Sequence, residues 1–286
     1  STHCISSAAS DVYKRQTAVQ LYKQGKIDRV SISNTPELYK ANKNNKDVVK
    51  APEATTSYLE YNQTGKNKFL ANDKIREALN LATNRKELTD QVTSGVSTPA
   101  TGLAPQSLAK TASGEDLAKY VAPGYTFDAA KAAELFKEGL KEVGETSATL
   151  TITSDADSPA AKSTLDYLQG SWEKALPGLK INEKFVPFQQ RLKDSQTQNF
   201  DIVVSLWGGD YPEGSTFYDL FKDGASYNNG QFKNDAYTQA VNKAETTDAL
   251  NQSARDTDYK NAEADLFKDS NINPLYFRSG YSLQNP

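Results

Sequence analysis

Alternating polar and apolar residues in the first third of the chain predict a strand followed by two helices. The residues Ser57–Tyr61 alternate with the period of a half-buried strand and lead into a turn-like segment. Asn72 then precedes four apolar residues that share one helix face, namely Ile75, Ala78, Leu79 and Ala82. Asn84 provides a second start signal, in which its side chain caps the helix and the glutamate three residues later reaches back. We expect helices over residues 72–83 and 85–93.

The rest of the chain alternates between helix and strand patterns. Asp128 can cap a helix whose apolar residues share one face, and Gly144 is placed to end it in the left-handed conformation. The segment Gly95–Gly124 is rich in proline, glycine, serine and threonine and is predicted to be a loop. Further strands are expected at residues 148–153, 179–186, 200–207 and 274–278, and further helices at 159–175, 189–196, 235–246 and 254–268. Strands separated by helices predict an α/β fold in which crossovers connect the strands of one sheet.

The opening segment Ser1–Gln16 is set aside from this fold prediction. Its residues Asp11–Gln16 resemble the translated adapter read-through found at the ends of assembled environmental sequences. The 286 residues contain no methionine, so we expect a fragment or a processed product. The only cysteine and the only histidine, Cys4 and His3, both lie in the segment that is set aside.

The absence of thiol and imidazole groups from residues 17–286 excludes several kinds of site. Thiolate nucleophiles, Ser-His-Asp triads, zinc sites with nitrogen or sulfur ligands and disulfide frameworks all need these groups. We therefore expect no cofactor and no metal. The formal net charge of −3 provides no broad basic face, which disfavours nucleic-acid binding. No apolar run reaches about 18 residues, so membrane attachment would have to lie outside this segment.

The residues directly after the most apolar strand are the strongest candidates for a ligand site. In open α/β sheets, ligands bind beyond the carboxyl ends of the strands. The strand at 200–207 is followed there by Gly208, Gly209 and Asp210, and it ends in Trp207. The glycines permit a close backbone approach, the indole offers a flat apolar wall and the carboxylate suits a cation. The alternative, in which the glycines form a turn, Trp207 packs in the core and Asp210 caps a loop, remains open.

Three ordered motifs resemble the oligopeptide-binding proteins of ABC importers. They are WGGDYP at 207–212, IREALNLATNRKEL at 75–88, and the closing pair YKNAE at 259–263 with NPLY at 273–276. The likeness covers most of residues 20–286 and is closest to the lipoproteins of streptococci and their relatives. It implies a periplasmic-binding-protein-like lobe of type II, with a mixed sheet flanked by helices, from a two-lobe protein.

The resemblance also implies a division of the chain. Residues 17–62 would be a remnant of the first lobe with a hinge strand, and residues 63–270 would be the carboxyl-terminal ligand-binding lobe. Residues 271–286 would return toward the hinge and the first lobe, where the chain is truncated. Residues 1–16 would be a leader that is not native.

The family's W-x-x-D motif implies the roles of individual residues. Asp210 would pair with the α-amino group of a bound peptide, and the other ligand-binding candidates are Trp207, Gly208, Gly209, Tyr211 and Asn229. Where the family's hinge strand crosses between lobes, the corresponding residues are Tyr58, Tyr61 and Asn62. Family members often hold the carboxyl end of the peptide with basic residues on nearby strands, which are absent here. Arg191 and Lys193 are candidates for that role only because they are close in the sequence.

The resemblance implies a monomeric receptor on the extracellular face of the cytoplasmic membrane. Its partners would be an oligopeptide and the permease subunits of an ABC transporter, and a lipid anchor would lie outside this segment. Two alternatives stay open. One is a hydrolase that uses carboxylates alone, with Asp201 or Asp210 paired with Glu213. The other is an oligosaccharide receptor on the same scaffold. Trp172, at helical spacing from three leucines, is expected to be a core residue.

Overall fold

The computed structural model describes residues 2–33, 35–158 and 160–286, with the backbone alone for residues 2–12. In this part of the chain the strands form one seven-stranded sheet. The strands are β1 (Arg29–Ser31), β2 (Val48–Tyr61), β3 (Thr98–Pro99), β4 (Ala148–Asp155), β5 (Leu179–Val186), β6 (Ile202–Gly208) and β7 (Ile272–Gln284).

The helices flank this sheet and connect its strands. They are α1 (Thr2–Lys23), α2 (Pro36–Asn42), α3 (Asp73–Leu81), α4 (Arg85–Val92), α5 (Leu117–Val121), α6 (Ala129–Glu142), α7 (Ala161–Ala175), α8 (Phe188–Gln196), α9 (Ser215–Tyr218), α10 (Asp235–Glu245) and α11 (Gln252–Lys268). A 3₁₀ turn, Asp219–Phe221, follows α9 directly.

The sheet is mixed, which confirms the predicted α/β class. Its strand order is β1-β7-β2-β6-β4-β5, with β3 added on β7. The pairs β4–β5 and β4–β6 are parallel, as expected for strands joined through α7 and α8. β2 runs antiparallel to both of its neighbours, β6 and β7. Residues from chain positions far apart therefore meet at the centre of the sheet.

β2 and β7 are much longer than the sequence pattern predicted. Their ladder extends from Val48 to Glu60 on β2. Besides a register shift between Ser57 and Tyr58, it has one between Pro52 and Thr56. On the amino-terminal side of this shift, β2 pairs only with β7, which also pairs with β1. On the other side, β2 pairs with β6 as well. The two long strands thus belong to two sections of the sheet.

The smaller section has its own apolar cluster. Its buried members come from α1, β1, α2, the residue after β1 and the end of β7, namely Val19, Tyr22, Val30, Ile32, Leu38 and Leu283. The polar pattern of residues 17–48 predicted none of these elements. α1 also runs through the segment 1–16 that the sequence prediction had set aside. The proposed division of the chain into a first-lobe remnant and a carboxyl-terminal lobe stays a prediction.

The larger section carries two cores. One packs α3, α6 and α7 against the sheet and encloses Trp172, which is fully buried and donates from Nε1 to Thr83 Oγ1 at 3.1 Å. This confirms the core position predicted for Trp172. The other core lies under α5, α10 and α11, where the rings of Tyr218 and Tyr259 stack at 5.0 Å. The sheet is therefore covered by helices from both cores.

The predicted helix starts are confirmed by their caps. Asn72 Oδ1 accepts from the N–H of Ile75, and Asp128 Oδ1 accepts from the N–H of Lys131. Each cap satisfies an N–H group that has no partner within its helix. The helix that starts after Asp128 stops as predicted, because Gly144 has a φ of 76°.

The start of α4 corrects one detail of the prediction. Asn84 Oδ1 accepts from the N–H of Glu87 at 3.1 Å, as expected. The Glu87 carboxylate does not reach back to complete a capping box. It accepts instead from Gln91 Nε2 at 3.0 Å and from the Tyr167 hydroxyl at 3.1 Å. A tertiary contact and a contact within the helix thus replace the predicted local one.

Two of the motifs that carry the family resemblance contact each other at the start of β7. Arg85 of α4 is buried and donates from Nε to the carbonyl oxygen of Pro274 at 2.5 Å and from Nη2 to Asn273 Oδ1 at 2.6 Å. Asn80 donates to the carbonyl oxygen of Ile272 at 3.0 Å. These contacts fix the strand that lies beside β2.

The second core encloses carboxyl groups that are hard to ionise. Glu263 is fully buried and accepts from the Leu103 N–H at 2.6 Å and from the Tyr218 hydroxyl at 3.1 Å, both at Oε1, while Oε2 has no hydrogen-bond partner among the described residues. Burial raises its pKa to about 7. Burial also raises the pKa of Asp219, close to Glu245, to about 7 and that of Asp258, close to Asp248, to about 6. Each of these three carboxyl groups therefore holds its proton to a higher pH in the folded chain than in the unfolded chain.

We expect the free energy of unfolding to fall as the pH rises from 5 to 8. Because the pKa of each group is higher in the folded than in the unfolded chain, its stabilisation is complete below the unfolded pKa and is lost through the folded pKa. Glu263 alone accounts for about 2 kcal/mol of this change. Denaturant unfolding of the 286-residue chain at several pH values measures it.

The variant Glu263→Gln should flatten this pH dependence, because glutamine stays neutral throughout the range. Glu134→Gln, at an exposed position on α6, is the matched control and should keep the slope of the unchanged chain. An unfolding free energy that rises toward pH 8 would contradict the raised pKa of Glu263. An unaltered pH dependence in Glu263→Gln would contradict it as well.

Candidate functional site

The carboxyl-terminal half of β6 is paired on one side only. β4 pairs with β6 at two positions, Ile152 with Ile202 and Thr153 with Val203. β2 stays paired with β6 as far as Gly208. Among the described residues, the edge of β6 that faces away from β2 therefore has no strand partner from Val204 to Gly208.

The backbone groups on this open edge can be assigned from the strand period. The N–H of Gly209 donates to the carbonyl oxygen of Ala54, just before the β2 residues that pair with β6, at 2.7 Å. Successive residues of a strand direct their backbone groups to opposite edges. Leu206 and Gly208 therefore present their N–H and C=O groups to the open edge, and Val204 presents its C=O group, because the parallel pairing of Thr153 with Val203 uses the Val204 N–H. This edge can add an extended chain as a further strand.

The open edge borders a cavity of about 450 Å³. The cavity lies where β4 and β6 diverge, and α8, β7 and the segment before α2 close its other sides. Its lining combines apolar side chains, hydroxyl groups and charges, including Ser154, Asp155, Phe188, Arg191, Val204, Ser205, Leu206 and Tyr276. The predicted residues 207–211 are not among its lining residues but follow at the end of β6.

Asp210 is exposed just beyond the open edge. Its backbone N–H donates to Thr216 Oγ1 at 3.3 Å, which holds the loop. Within residues 2–33, 35–158 and 160–286, no lysine or arginine pairs with its carboxylate. The negative charge is thus available to a ligand, and the loop-capping alternative is not what the structure shows for this side chain.

Trp207 is half-buried and held by two contacts. Its Nε1 donates to the carbonyl oxygen of Thr216 at 2.8 Å, and its ring lies 4.8 Å from that of Tyr227. Tyr211 is 47% exposed and shares a hydrogen bond of 3.1 Å with Ser215 Oγ. Both aromatic residues frame the end of β6, and Trp207 also packs on the second core.

The two glycines differ in what they permit. A Cβ at Gly209 would lie 2.7 Å from Leu108 Cδ1 and 3.3 Å from Phe217 Cε2, so this glycine allows close packing within the chain itself. A Cβ at Gly208 would meet only Thr55 Oγ1, at 3.2 Å. Gly208 is exposed and lies on the open edge. Of the two, Gly208 is therefore the one that faces an approaching ligand.

Asn229 belongs to a buried network centred on Glu60, which sequence reasoning missed. Asn229 donates to the Glu60 carboxylate from its backbone N–H at 3.1 Å and from Nδ2 at 2.9 Å. Ser205 Oγ donates to the same carboxylate at 2.7 Å. Burial raises the pKa of Glu60, while these donors oppose the shift. A ligand contact of Asn229, which stays a prediction, would use its Oδ1 or the second N–H of Nδ2.

The three predicted hinge residues are buried in the larger section of the sheet. The Tyr61 hydroxyl donates to Asn80 Oδ1 at 2.6 Å, and Asn62 Nδ2 donates to the carbonyl oxygen of Phe200 at 2.8 Å. Tyr58 packs edge-on against Phe221 in the second core. The register of β2 against β7 shifts between Pro52 and Thr56 and again between Ser57 and Tyr58, so the second shift lies directly at the first of the three. The hinge role stays a prediction for these residues.

Two of the three carboxylates named for a hydrolase are engaged by neighbouring groups. Asp201 accepts from the Thr151 N–H at 2.9 Å and from Asn67 Nδ2 at 3.2 Å. Glu213, the proposed partner of either aspartate, pairs with Arg255 and accepts from the Tyr259 hydroxyl at 3.1 Å. A carboxylate that is held in an ion pair is a poor general acid or base, so this alternative is not favoured.

Neither a metal site nor a membrane-spanning helix occurs among the described residues. No group of three or more carboxylate, imidazole or thiol side chains is placed to hold a metal ion. No described helix combines the length and apolar character needed to cross a bilayer.

The chain matches the model of bacterial extracellular solute-binding proteins, family 5 (middle part), over residues 10–229. A dipeptide-binding protein of Lactococcus lactis is 46% identical over 278 residues, a match that covers 94% of this chain and 50% of that protein. This match confirms the predicted likeness to relatives of the streptococci.

Solved structures give the same result for the fold. OppA of Listeria monocytogenes bound to peptide is 34% identical, with a TM-score of 0.80, and the match covers 95% of this chain and 52% of that one. The substrate-binding domain of an oligopeptide ABC transporter from Bacillus anthracis is 30% identical, with a TM-score of 0.84 and coverages of 95% and 53%. The chain spans about half the length of these relatives. With a periplasmic-binding-protein-like fold and a family match over most of its length, the chain belongs to family 5 of the bacterial extracellular solute-binding proteins.

Proposed function

We propose that the chain is the carboxyl-terminal lobe, with its hinge crossings, of an oligopeptide receptor for an ABC importer. The observation that carries this proposal is the open edge of β6, which borders a cavity and ends beside the unpaired carboxylate of Asp210. An extended peptide would pair with the edge, and its ammonium group would pair with Asp210. The named relatives, a dipeptide-binding protein and an OppA bound to peptide, support a peptide ligand over an oligosaccharide.

Hydrogen bonds to the peptide backbone would let the receptor bind peptides of many different sequences. The C=O group of Val204 and the N–H and C=O groups of Leu206 and Gly208 would bond the main chain of the peptide, which is the same for every sequence. The ammonium group adds a charge-assisted contact that is strong only when water is excluded. Closure of two lobes over the peptide would provide that exclusion. No covalent step is needed, so the receptor would not be an enzyme.

The division of the chain fits this scheme. Residues 17–62 and 271–286 would contain the first-lobe remnant and the crossings, and residues 63–270 would form the ligand-binding lobe. The separate apolar cluster built from α1, β1, α2 and the end of β7 supports a body distinct from the larger section. The receptor would be monomeric, lie on the extracellular face of the cytoplasmic membrane and be anchored by a lipid outside this segment. Its closed form would dock on the permease subunits.

We expect Asp210→Ala in the full-length receptor to weaken peptide binding by about 2–4 kcal/mol, as for the loss of one partner of an enclosed charge pair. Calorimetry with alanine tetrapeptide and with its N-acetylated form measures this. N-acetylation should weaken binding to the unchanged receptor and should have little further effect on Asp210→Ala. Glu134→Ala on α6 is the control. Equal affinity of the unchanged receptor for both peptides would refute amine recognition.

We also expect the isolated 286-residue chain to bind the same tetrapeptide at least about 100-fold more weakly than the full-length receptor, which corresponds to about 2.7 kcal/mol. Without the opposite lobe, the Asp210 pair stays in water, where its Coulomb energy is small. Calorimetry on both proteins checks this result. Tight binding by the isolated chain would contradict the two-lobe scheme.

A further inference from the structure

The loop between the 3₁₀ turn and α10 contains a chemically labile pair, Asn229–Gly230, which is the only Asn-Gly pair in the 286 residues. The N–H of the residue after an asparagine can attack the asparagine side chain, and glycine hinders this attack least because it has no Cβ. In that reaction the Gly230 nitrogen bonds to Asn229 Cγ, the Cγ–Nδ2 bond breaks, and the Gly230 proton leaves with Nδ2 as ammonia. Water then opens the resulting succinimide to aspartate or isoaspartate.

The fold requires the glycine of this pair for packing. A Cβ at Gly230 would collide with the carbonyl oxygen of Tyr61, the last residue of β2. The carbonyl oxygen of Gly230 accepts from the Gln63 N–H at 2.9 Å. The loop thus lies directly against the end of β2, and position 230 has no room for a side chain.

The fold also requires the side-chain amide of Asn229. This residue is 9% exposed, and its Nδ2 and backbone N–H donate to the buried Glu60 carboxylate at 2.9 and 3.1 Å. An ionised carboxylate at position 229 would present only acceptors to Glu60. Each member of the labile pair therefore makes a tertiary contact that a less reactive residue would not make.

The same contacts oppose the reaction while the loop is closed. The leaving group, Nδ2 of Asn229, is anchored on Glu60. The attacking nitrogen belongs to a glycine that is packed against Tyr61 and Gln63. Ring closure requires these atoms to move relative to each other, and hydrolysis requires water at a buried position. The reaction therefore needs local opening of the loop, and these contacts set the opening equilibrium.

We infer that Asn229–Gly230 is a deamidation site, that the Glu60 network suppresses the reaction in the closed loop, and that the product prevents the loop from closing again. Aspartate at position 229 would place a second carboxylate against Glu60, whose pKa is already raised by burial. Isoaspartate would also lengthen the main chain before the contact with Gln63. This inference concerns the chain itself and does not depend on the nature of the ligand.

The consequence of the modification extends to the end of β6. Tyr227 belongs to the same loop, and its ring lies 4.8 Å from that of Trp207. Ser205 of β6 donates to the Glu60 carboxylate at 2.7 Å. A loop that cannot close thus loses its contacts with two residues or side-chain networks that support β6.

The same loop provides an internal reference. Asp223–Gly224 is the only Asp-Gly pair in the chain, and both of its residues are exposed. An Asp-Gly pair forms the same kind of succinimide by losing water, and the ring reopens to isoaspartate or aspartate. Because Asp223 lies outside the Glu60 network, we expect its reaction rate to differ little between the folded and the unfolded chain.

The test follows both pairs in the full-length receptor, incubated in mildly alkaline buffer made with heavy-oxygen water, with or without urea. Mass spectrometry of the digested protein measures the heavy oxygen gained at positions 229 and 223. We expect conversion at position 229 to be at least about tenfold slower without urea, with little change at position 223. Glu60→Gln keeps one acceptor oxygen and loses the other, so it should raise the rate at position 229 without urea at least about threefold. Glu134→Gln on α6 is the control and should leave both rates unchanged.

A second comparison does not require Glu60→Gln to fold. Asn229→Ala removes the amide, whereas Asn229→Asp replaces it with the charge that deamidation produces. In denaturant unfolding of the full-length receptor at the same pH, the unfolding equilibrium constant of Asn229→Asp should exceed that of Asn229→Ala at least about tenfold, because a buried like-charge pair is added.

Equal rates at position 229 with and without urea would overturn the inference, as would the absence of conversion there in urea. A rate that a folded Glu60→Gln variant leaves unchanged would overturn it too, and so would an Asn229→Asp variant at least as stable as Asn229→Ala. None of these outcomes involves peptide binding. Failure of the proposed function is therefore distinct, because it shows in the calorimetry with free and N-acetylated peptide.

Discussion

The structure depends on the unequal pairing of β6, which keeps β2 along its whole length but loses β4 after two positions. Unpaired backbone N–H and C=O groups are costly when they are buried, and an exposed strand edge invites association with other chains. Here the unpaired N–H and C=O groups of β6 border a cavity, where water can form hydrogen bonds with them. An extended chain that enters the cavity replaces that water with hydrogen bonds of the kind that β4 provides earlier in the strand. Because β4 stops pairing with β6 after two positions, the rest of this edge of β6 can pair with another extended chain.

The charged groups near the two ends of this edge differ in their burial and in their contacts. Asp210 is exposed and forms no ion pair with any described residue, so water screens its attraction for a cation. Arg191 is buried and already oriented by Asp155 and Phe188, so its hydrogen-bond geometry is fixed before a ligand arrives. Burial thus distinguishes a carboxylate that water screens from a guanidinium whose orientation is fixed by neighbouring groups.

Features set by neighbouring residues could be predicted from the sequence. The caps at Asn72, Asn84 and Asp128 involve side chains and N–H groups three residues apart, and the α/β alternation follows from local periodicity. The site network could not be predicted, because Ser205 and Asn229 lie 145 and 169 residues beyond Glu60. A glutamate in a strand of alternating residues is ordinarily a solvated position. Its burial becomes visible only when β6 and the loop after it cover β2.

The same limit applies to the length of β2. Its amino-terminal half is polar and was not predicted, because its strand partner is the distant β7 and its neighbouring apolar cluster includes α1 and α2. This strand connects the smaller section of the sheet to Thr56 and Glu60, whose side chains hold the loop at Leu103 and the network at Asn229. The register of β2 against β7 shifts between Pro52 and Thr56 and again between Ser57 and Tyr58, so both irregularities of this ladder lie on the stretch that joins the smaller section to Glu60.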